Sequence, residues 1–534
     1  MFATPEKTVE LSEGHVDVAD VADLEAIEVV ANHQDHEETL IQALRNHPMT
    51  LFWCVYALWV LTLSSYDNQA GGIFLGIPQF RKDFGFLYNG NYVLYAKWQS
   101  AYSGGPTASA VMGALGASYL ADKIGRKLVY LLAFAFMLIG ITIETVATTN
   151  SMFFAGKFIN GFPVGAFGTI TMTYLGEISP QALRGVVTAA AGLSYTLGPF
   201  IVTLLTNSYG DLTTRWAYRG IFVSQYGVTA IGLIGLPFMP ESPWWLVSRG
   251  KDEKAAHALR SLGHPSSEIE SRIASIKVTL ESMRQETEGV TFAECFRKSN
   301  LRRTIIAIAP LSIQALVGII FIISFMTYYI QLAGYSPSIS FRISIGSTVI
   351  AMAGNITSWF LVDRVGRRDL TLYGLYIITA ILFICGGLGS QTSSPSCVKG
   401  VIAFFNLYIF FYNATIGATA YNLVAEVATS RLRAKTASIG LALQNALYTM
   451  FSFVLPYIFN PNEANLGAKT SFIFAGLSIL CLIYIWFYQP ETSGRTYEEL
   501  DEMFTKHIPA RKFKSYRPEA ALRCQEATNA KQVA

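Results

Sequence analysis

The sequence predicts an all-α membrane protein of twelve transmembrane helices arranged as two related six-helix bundles. Hydrophobic residues make up 51% of the 534 residues and charged residues only 14%, whereas an ordinary soluble protein carries about 25% charged residues. The charged residues stand in short clusters between long apolar runs. In addition, three polar motifs of the first half recur in the same order in the second half. Composition therefore predicts the membrane class, and the repeat predicts the two bundles.

Twelve stretches have the length and apolar character of a membrane-spanning helix, which needs about 20 residues to cross the hydrocarbon core. The stretch 370–388 contains no charged residue, and the stretch 128–149 contains only Glu144. We place the spans near 50–75, 99–121, 128–149, 152–174, 187–207, 219–238, 304–331, 341–362, 370–388, 400–425, 436–459 and 470–488.

Polar segments before, between and after the spans divide the chain into five parts. Residues 1–48 are acidic and have no basic stretch leading into an apolar core, so we predict a disordered cytoplasmic tail and no signal peptide. Residues 244–302 carry apolar residues at helical spacing, which predicts a cytoplasmic linker with short amphipathic helices. The bundles then occupy 49–243 and 303–489, and a second cytoplasmic tail occupies 490–534.

Lys and Arg are concentrated in the loops that follow the even-numbered spans, in the linker and in the second tail. Because such residues favour the cytoplasmic side, we expect both termini inside the cell, in the plasma membrane.

The remaining composition favours no other class of protein. The net charge of +3 gives no reason to expect a nucleic-acid partner. The six cysteines are scattered with no metal-ligand spacing, so we predict neither a disulfide framework nor a metal or cofactor. No nucleophile–base set is recognisable, and we expect no enzyme activity.

The internal repeat consists of three motifs. Asp-Lys-Ile-Gly-Arg-Lys at 122–127 corresponds to Asp-Arg-Val-Gly-Arg-Arg at 363–368, and a Glu seven residues before an Arg follows spans four and ten. Pro-Glu-Ser-Pro at 240–243 corresponds to Pro-Glu-Thr-Ser at 490–493. The offsets are 241, 249 and 250 residues. Parallel six-helix repeats of this kind are typical of transporters of the major facilitator superfamily.

Acidic and basic residues recur together in these motifs, at the predicted cytoplasmic ends of the spans. We expect them to form ion pairs that hold the two halves together on the inside and separate when the protein opens inward. The alternative is that they are topology signals and helix caps. The predicted gating residues are Asp122, Arg126, Glu177, Arg184, Glu241, Asp363, Arg367, Glu426, Arg433 and Glu491.

With DKIGRK, DRVGRR, PESPWWL and PETSGRTYEEL, residues 45–505 resemble the major facilitator sugar porters. The segments AKWQS at 96–100, TSRLRAKT at 429–436 and PYIFNPNEANLGAK at 456–469 are similar to the fungal maltose and general α-glucoside permeases. The resemblance implies a monomeric secondary transporter in the lipid bilayer that imports a sugar such as maltose with protons, by alternating access. The alternatives are a transporter or exporter of another small metabolite, and a non-transporting nutrient sensor.

Asp67 lies inside span one, where a carboxylate is costly and therefore usually functional. The resemblance implies that Asp67 accepts the transported proton. The family usually pairs this Asp with an Arg in span four, whereas the matching residue here is Lys157. A buried Lys can lose its proton, unlike Arg. The alternative is a static Asp67–Lys157 pair that only orients two helices.

The sugar-binding residues of the family are partly absent. The Gln expected in span five is Gly192, and the expected Gln-Gln pair in span seven is Gln314-Ala315. These losses favour a ligand with fewer hydroxyl groups than glucose, or one bound in a different position. About a third of the polar candidates are expected to serve helix packing. The predicted substrate-binding residues are Asn160, Ser194, Gln314, Thr327, Tyr328, Asn413, Tyr421 and Asn445, with Asn355 and Gln444 among the further candidates.

Overall fold

The computed structural model describes residues 40–287, 291–391, 394–493, 495, 497–506, 508–514 and 516. Most of the predicted first tail and the end of the second tail lie outside these ranges. The side chains of Arg184 and Asp363, two predicted gating residues, also lie outside the described part of the chain.

The first half of the chain forms long helices that correspond in order to spans one to six. After a short helix α1 (Leu40–Asn46), they are α2 (Pro48–Ile73), α4 (Ala96–Ile124), α5 (Arg126–Val146), α6 (Asn150–Ile178), α7 (Gln181–Tyr209) and α8 (Trp216–Gly235). Between α2 and α4 the chain forms a short helix α3 (Pro78–Phe84) and an antiparallel hairpin of β1 (Phe86–Tyr88) and β2 (Asn91–Val93). The hairpin is a small exception to the predicted all-α fold, and Asn89 and Gly90 make its turn with positive φ angles.

The segment after α8 contains three helices of 6, 10 and 19 residues. They are α9 (Pro243–Ser248), α10 (Asp252–Ser261) and α11 (Ile269–Thr287). The turn after α10 docks on the start of α2, where the Thr50 hydroxyl donates to Leu262 O at 2.8 Å. The ring centroids of His47 and His264 lie 5.3 Å apart in the same contact.

The second half repeats the helix order of the first, but two of its spans are interrupted. Span seven is α12 (Lys298–Leu316) plus α13 (Ile319–Leu332), and span ten is α16 (Pro395–Ala414) plus α17 (Ile416–Val427). The uninterrupted spans are α14 (Pro337–Val365), α15 (Arg367–Leu388), α18 (Arg433–Phe459) and α19 (Ser471–Tyr488).

Ten of these twelve segments are long and apolar enough to cross a membrane by length and composition. The two that fall short are α4 and α6, although each is 29 residues long. Their small and polar residues lower the hydropathy and let the two helices pack closely: a Cβ at Gly161 or Gly165 of α6 would overlap the backbone of α4 at Pro106 or Ala110. Small residues are what close helix pairs in membranes require.

The two bundles meet at the face that carries the β-hairpin, called the hairpin face below. The Gln331 amide donates to Gly76 O at 2.6 Å, and the Ser100 hydroxyl donates to Phe453 O at 2.7 Å. The Arg81 guanidinium lies over the Tyr328 ring, 5.3 Å from its centroid. One apolar core runs from Phe74 and Phe80 of the first bundle to residues such as Tyr328 of the second. The structure is therefore packed shut at the hairpin face.

Part of the second tail is ordered against the second bundle. Helix α20 (Tyr497–Thr505) and Phe513 pack on Ile306 and Val427 through a small apolar cluster. Arg303 at the start of span seven forms an ion pair with Asp501 of α20. The part of this tail that the structure describes is thus joined to the bundle.

Candidate functional site

A cluster of polar and charged side chains is enclosed within the first bundle. The Asp67 Oδ1 atom accepts from Asn160 Nδ2 at 2.7 Å and from Gln225 Nε2 at 3.0 Å, and Lys157 Nζ lies 3.5 Å away. Lys157 Nζ lies closer to Glu144 Oε2, at 3.1 Å, and Asn160 Nδ2 also donates to Glu144 Oε1 at 3.1 Å. The carboxylate cluster, as we call these five residues, is at most 3% exposed at every member.

Four helices supply the cluster, namely α2, α5, α6 and α8, and small residues make room for it. Added Cβ atoms at Gly156 and Gly71 would lie 2.8 Å from Glu144 Cγ and 3.8 Å from Lys157 Nζ. The Lys157 ammonium also lies 5.1 Å from the centroid of the Phe222 ring. The cluster is therefore enclosed by protein, and its charges are balanced mainly by one another.

The interrupted spans of the second bundle satisfy each other's free backbone groups. Gly318 takes a left-handed conformation with φ of 88°, which ends α12 and starts α13. The Tyr408 hydroxyl donates to Val317 O beside this break at 2.8 Å. In return, Gln314 Nε2 donates to Ile416 O and to Gly417 O, both at 3.1 Å, beside the break in span ten. Broken helices in a membrane require such partners.

Amide and tyrosine side chains continue from these breaks toward the gap between the bundles. Gln444 Nε2 donates to Gln314 Oε1 at 2.5 Å. Gln444 also forms hydrogen bonds with Tyr421 and Tyr448. Tyr421 is 54% exposed and lies near Tyr195 of the first bundle, which is 48% exposed. These two partly exposed tyrosines thus lie where the two bundles approach each other.

Gly192 of the first bundle lies beside a polar side chain of the second bundle. A Cβ added at Gly192 would lie 3.2 Å from Asn355 Nδ2 of α14. The Asn355 amide of span eight therefore lies directly against Gly192 of span five.

Two clusters with the same geometry lie at the face opposite the hairpin, called the cluster face below. In the first, Arg126 binds Glu177 through Nε at 3.0 Å and through its terminal nitrogen at 2.5 Å. Glu241 accepts from the backbone N–H groups of Arg126 and Lys127, at 2.9 and 3.1 Å. A carboxylate at a helix N-terminus is favourable because it satisfies free N–H groups and the helix dipole.

In the second cluster, Arg367 Nε binds Glu426 at 3.1 Å, and Glu491 accepts from the N–H groups of Arg367 and Arg368 at 2.9 and 3.1 Å. Gly125 and Gly366 precede the two capped helices with φ of 93° and 96°. Both clusters lie inside their own bundle.

Comparison with known proteins assigns the family. The family model described as "Sugar (and other) transporter" matches residues 53–504. A general alpha-glucoside permease of Saccharomyces cerevisiae is 30% identical over 494 residues, which cover 91% of this chain and 80% of the relative. The chain belongs to the sugar transporter family. An alpha-glucosides permease of the same yeast is 31% identical over 499 residues, covering 91% of this chain and 82% of the relative, and a maltose permease is 30% identical over 496 residues, covering 91% and 80%.

Solved structures share the fold of this family member. A partially occluded, inward-open xylose transporter XylE from E. coli superimposes with a TM-score of 0.67 at 19% identity, covering 83% of this chain and 99% of that chain. The same transporter bound to 6-bromo-6-deoxy-D-glucose gives 0.67 at 21% identity, covering 86% and 100%. The predicted major facilitator fold and the resemblance to sugar porters are both confirmed.

The structure brings together the predicted coupling pair, Asp67 and Lys157, but places some of the predicted substrate-binding residues elsewhere. Asn160 is fully buried in the carboxylate cluster, so its amide does not face the gap. Ser194 packs against α2, where its backbone carbonyl accepts from Ser65. Thr327 and Tyr328 belong to the closed hairpin face, with Thr327 bonded to Ser344. The amides of Asn413 and Asn445 donate to their own helices, at Ile409 O and Leu441 O.

Of the predicted substrate-binding residues, Gln314 and Tyr421 thus belong to the amide and tyrosine group of the second bundle.

Among the predicted gating residues, Arg126, Glu177 and Glu241 are joined in one bundle and Arg367, Glu426 and Glu491 in the other. Asp122 lies 3.8 Å from Arg126, and Arg433 begins α18. Each of these described contacts connects helices of one bundle. The expected ion pairs between the two halves are not among them.

Two members of the carboxylate cluster were not predicted, namely Glu144 and Gln225. Glu144 carried a signal in the sequence, because it is the only charge in an apolar span. Gln225 carried none, since a single amide within a span does not reveal its partner.

Proposed function

We propose that the protein is a proton-coupled importer of an α-glucoside such as maltose that works by alternating access. The observation that carries this proposal is the carboxylate cluster, which holds ionisable groups in an otherwise apolar bundle. Ionisable residues inside a membrane usually mark ion paths or proton relays. The general alpha-glucoside and maltose permeases among the relatives support the choice of substrate.

In this proposal Asp67 binds the transported proton, and Lys157 is its counter-charge. Binding of the proton neutralises a charge in the first bundle, which changes the cost of moving that bundle. The energy is sufficient in principle, since one charge moving down a membrane potential releases about 2.3 kcal/mol per 100 mV. A neutral sugar carried with that proton is thereby accumulated.

The sugar binds, in the same proposal, between the exposed tyrosines and the amides of the second bundle. Gln314 and Gln444, both buried, hold the hydrogen-bond network behind this site, and Tyr195 and Tyr421 present partly exposed side chains. Asn355 beside Gly192 supplies the amide that the sequence lacks in span five. This replacement favours a sugar over a ligand with fewer hydroxyl groups.

The cluster face is cytoplasmic in this proposal, because the loops there carry most of the Lys and Arg residues. The structure is then closed to the outside and open to the cytoplasm. Residues 49–243 and 303–489 move as the two rocking units, and the charged clusters gate the inner side. We expect a plasma-membrane monomer, and reporter fusions at both termini should give cytoplasmic signals.

An uptake screen over mono- and disaccharides tests the function. Cells that lack their own disaccharide uptake and express the chain should accumulate labelled maltose above the external concentration, more strongly at acidic pH. A protonophore should abolish the accumulation, and Asp67→Asn provides the matched control. Maltose uptake that is indifferent to pH and protonophore would eliminate symport.

The same screen examines the rival functions. Efflux of a preloaded compound without uptake would favour an exporter, and a growth response without flux would favour a sensor.

A further inference from the structure

The carboxylate cluster contains two acids and one base. Asp67 and Glu144 are 3% and 0% exposed, and both lie beside Lys157, which is 1% exposed. With all three ionised, the cluster would carry a net charge of −1 in the buried interior of the bundle. A buried charge without a partner is costly and is normally removed by taking up or losing a proton. The charge balance therefore requires one extra proton in the cluster.

The neutral amide of Asn160 does not supply the missing positive charge, but its contacts indicate how the two acids share the extra proton. Asn160 Nδ2 donates to both carboxyl groups, at 2.7 Å to Asp67 and 3.1 Å to Glu144. Lys157 Nζ is also placed between them, at 3.5 and 3.1 Å. Both acids thus compete for the same two partners, and the acid that carries the proton leaves these partners to the other.

We propose that Glu144 is a second proton-binding carboxyl of the transporter, and that it shares a single exchangeable proton with Asp67 through Lys157. This inference rests on the proposed symport and adds a residue to its coupling site. It also explains how coupling works with Lys at position 157, because a Lys ammonium can release a proton and Arg does not.

The exchange step conserves protons and charge. The Lys157 ammonium gives one proton to Glu144 Oε2, and the amine so formed takes the proton of the Asp67 carboxyl. Before the step Asp67 is neutral and Glu144 is ionised; afterwards Asp67 is ionised and Glu144 is neutral. Lys157 is an ammonium at both ends of the step, so the cluster stays neutral throughout.

The backbone of Glu144 also lies nearer than that of Asp67 to the hairpin face, which is the outer side in the proposed orientation. It lies two residues from the end of α5 at the hairpin face, which is about 3 Å along the helix, whereas Asp67 lies six residues, or about 9 Å, from the end of α2. Among the described residues, the charged groups that face Glu144 are Lys157 and Asp67, and Tyr66 interacts with Asp67.

Infrared difference spectroscopy of the purified full chain in lipid nanodiscs tests the proton count without any sugar. At neutral pH the wild type should show the C=O stretching band of a protonated carboxyl. Glu144→Gln should lose this band, because one acid beside one ammonium is neutral without the proton, and Asp67→Asn should lose it for the same reason. Glu144→Gln combined with Lys157→Gln should restore it, since Asp67 is then left without a cation.

Glu144→Asp, which keeps a carboxyl, and Glu253→Gln, which changes an exposed carboxyl of the linker, serve as controls and should retain the band. A wild type without such a band, or a Glu144→Gln variant with the wild-type band, would overturn the inference.

Transport measurements distinguish this inference from the proposed function. In vesicles, Glu144→Gln should retain maltose counterflow, which needs no proton, and lose accumulation driven by a pH gradient. Retained counterflow also shows that the variant is folded. If the wild type accumulates maltose and Glu144→Gln does so equally, the inference fails and the symport proposal stands. If the wild type accumulates no sugar, the symport proposal fails, and the infrared band still decides whether Glu144 shares a proton.

Discussion

The two bundles have the same helix order and the same charged cluster at one face, yet their interiors differ. The first bundle encloses Asp67, Glu144 and Lys157 among its helices, whereas the buried charged residue among the described residues of the second bundle is Arg303, at the cluster face. The second bundle instead has two broken helices, bridged by Gln314 and Tyr408. Charge is thus enclosed in one bundle, and neutral hydrogen-bonding groups are presented by the other.

This difference indicates a division of labour between duplicated halves. In the proposed mechanism a proton is bound by groups whose charge can change, and a neutral sugar is bound by groups whose charge does not. Keeping the two sets in different bundles lets relative motion of the bundles connect them. The clusters at the cluster face stay alike because both halves must begin a helix at the same kind of tight turn.

The largest expected effect comes from removing the charge of the first bundle. With Asp67→Asn, maltose should reach only its external concentration, because no proton then drives it. At 100 mV the lost driving force is about 2.3 kcal/mol, or about 50-fold in accumulation. The measurement is the steady-state ratio of internal to external labelled maltose. Accumulation that persists in Asp67→Asn would place coupling outside this bundle, and Asp67→Glu serves as the carboxyl-retaining control.

The next largest effect concerns the glycine turns before the capped helices at the cluster face, which both bundles share. Gly125→Ala and Gly366→Ala should each destabilise the protein by about 2 kcal/mol, because φ near +95° with extended ψ is a region that essentially only glycine adopts. The added Cβ would also contact Glu241 or Glu491. Thermal unfolding in detergent measures the loss.

Matched controls exist in both bundles, since a Cβ at Gly116 or Gly476 meets open space in a helix. Gly116→Ala and Gly476→Ala should leave the unfolding temperature nearly unchanged. A large loss for only one of the Gly125 and Gly366 variants would contradict the equivalence of the two clusters.

A smaller effect is expected from the neutral groups of the second bundle. Gln314→Ala should raise the KM for maltose about tenfold, since removing one partner of a buried hydrogen-bond network typically costs about 1–3 kcal/mol. The number of protons per sugar should not change. Initial uptake rates together with simultaneous proton flux measure both quantities. A changed proton ratio would break the proposed division between the bundles, and Gln314→Asn tests whether a shorter amide restores binding.

The smallest effect concerns the linker, which docks on the first bundle. Burial, with Arg272 and His47 nearby, lowers the pKa of His264 to about 3. Unfolded His, with a pKa near 6.5, binds a proton first as the pH falls, so docking should weaken below pH 6.5 and continue to weaken down to about pH 3. The loss should be about 0.8 kcal/mol at pH 6. Hydrogen exchange of residues 259–264 measures it, and His264→Gln should remove this pH dependence.

The sequence alone determined the class of protein, the spans and the family. Long apolar runs can satisfy the hydrogen bonds of their backbone groups in lipid only as helices. A repeated motif can be recognised in a sequence whatever structure the chain adopts. For the same reason Asp67 and Lys157 were identifiable: a charge in an apolar span stands out by itself. The broken helices and the β-hairpin were not identifiable, because both depend on partners such as Tyr408 that lie far away in the chain.

Only the tertiary structure decided which side chains share a space. Asn160 and Gln314 are both buried amides in apolar spans, yet one is enclosed with two acids and the other bridges to the break in span ten. The amide missing at Gly192 is supplied by Asn355, which is 163 positions away in the sequence. Helix rotation and packing set these placements, and the hydropathy of a span carries no information about which of its faces meets which neighbour.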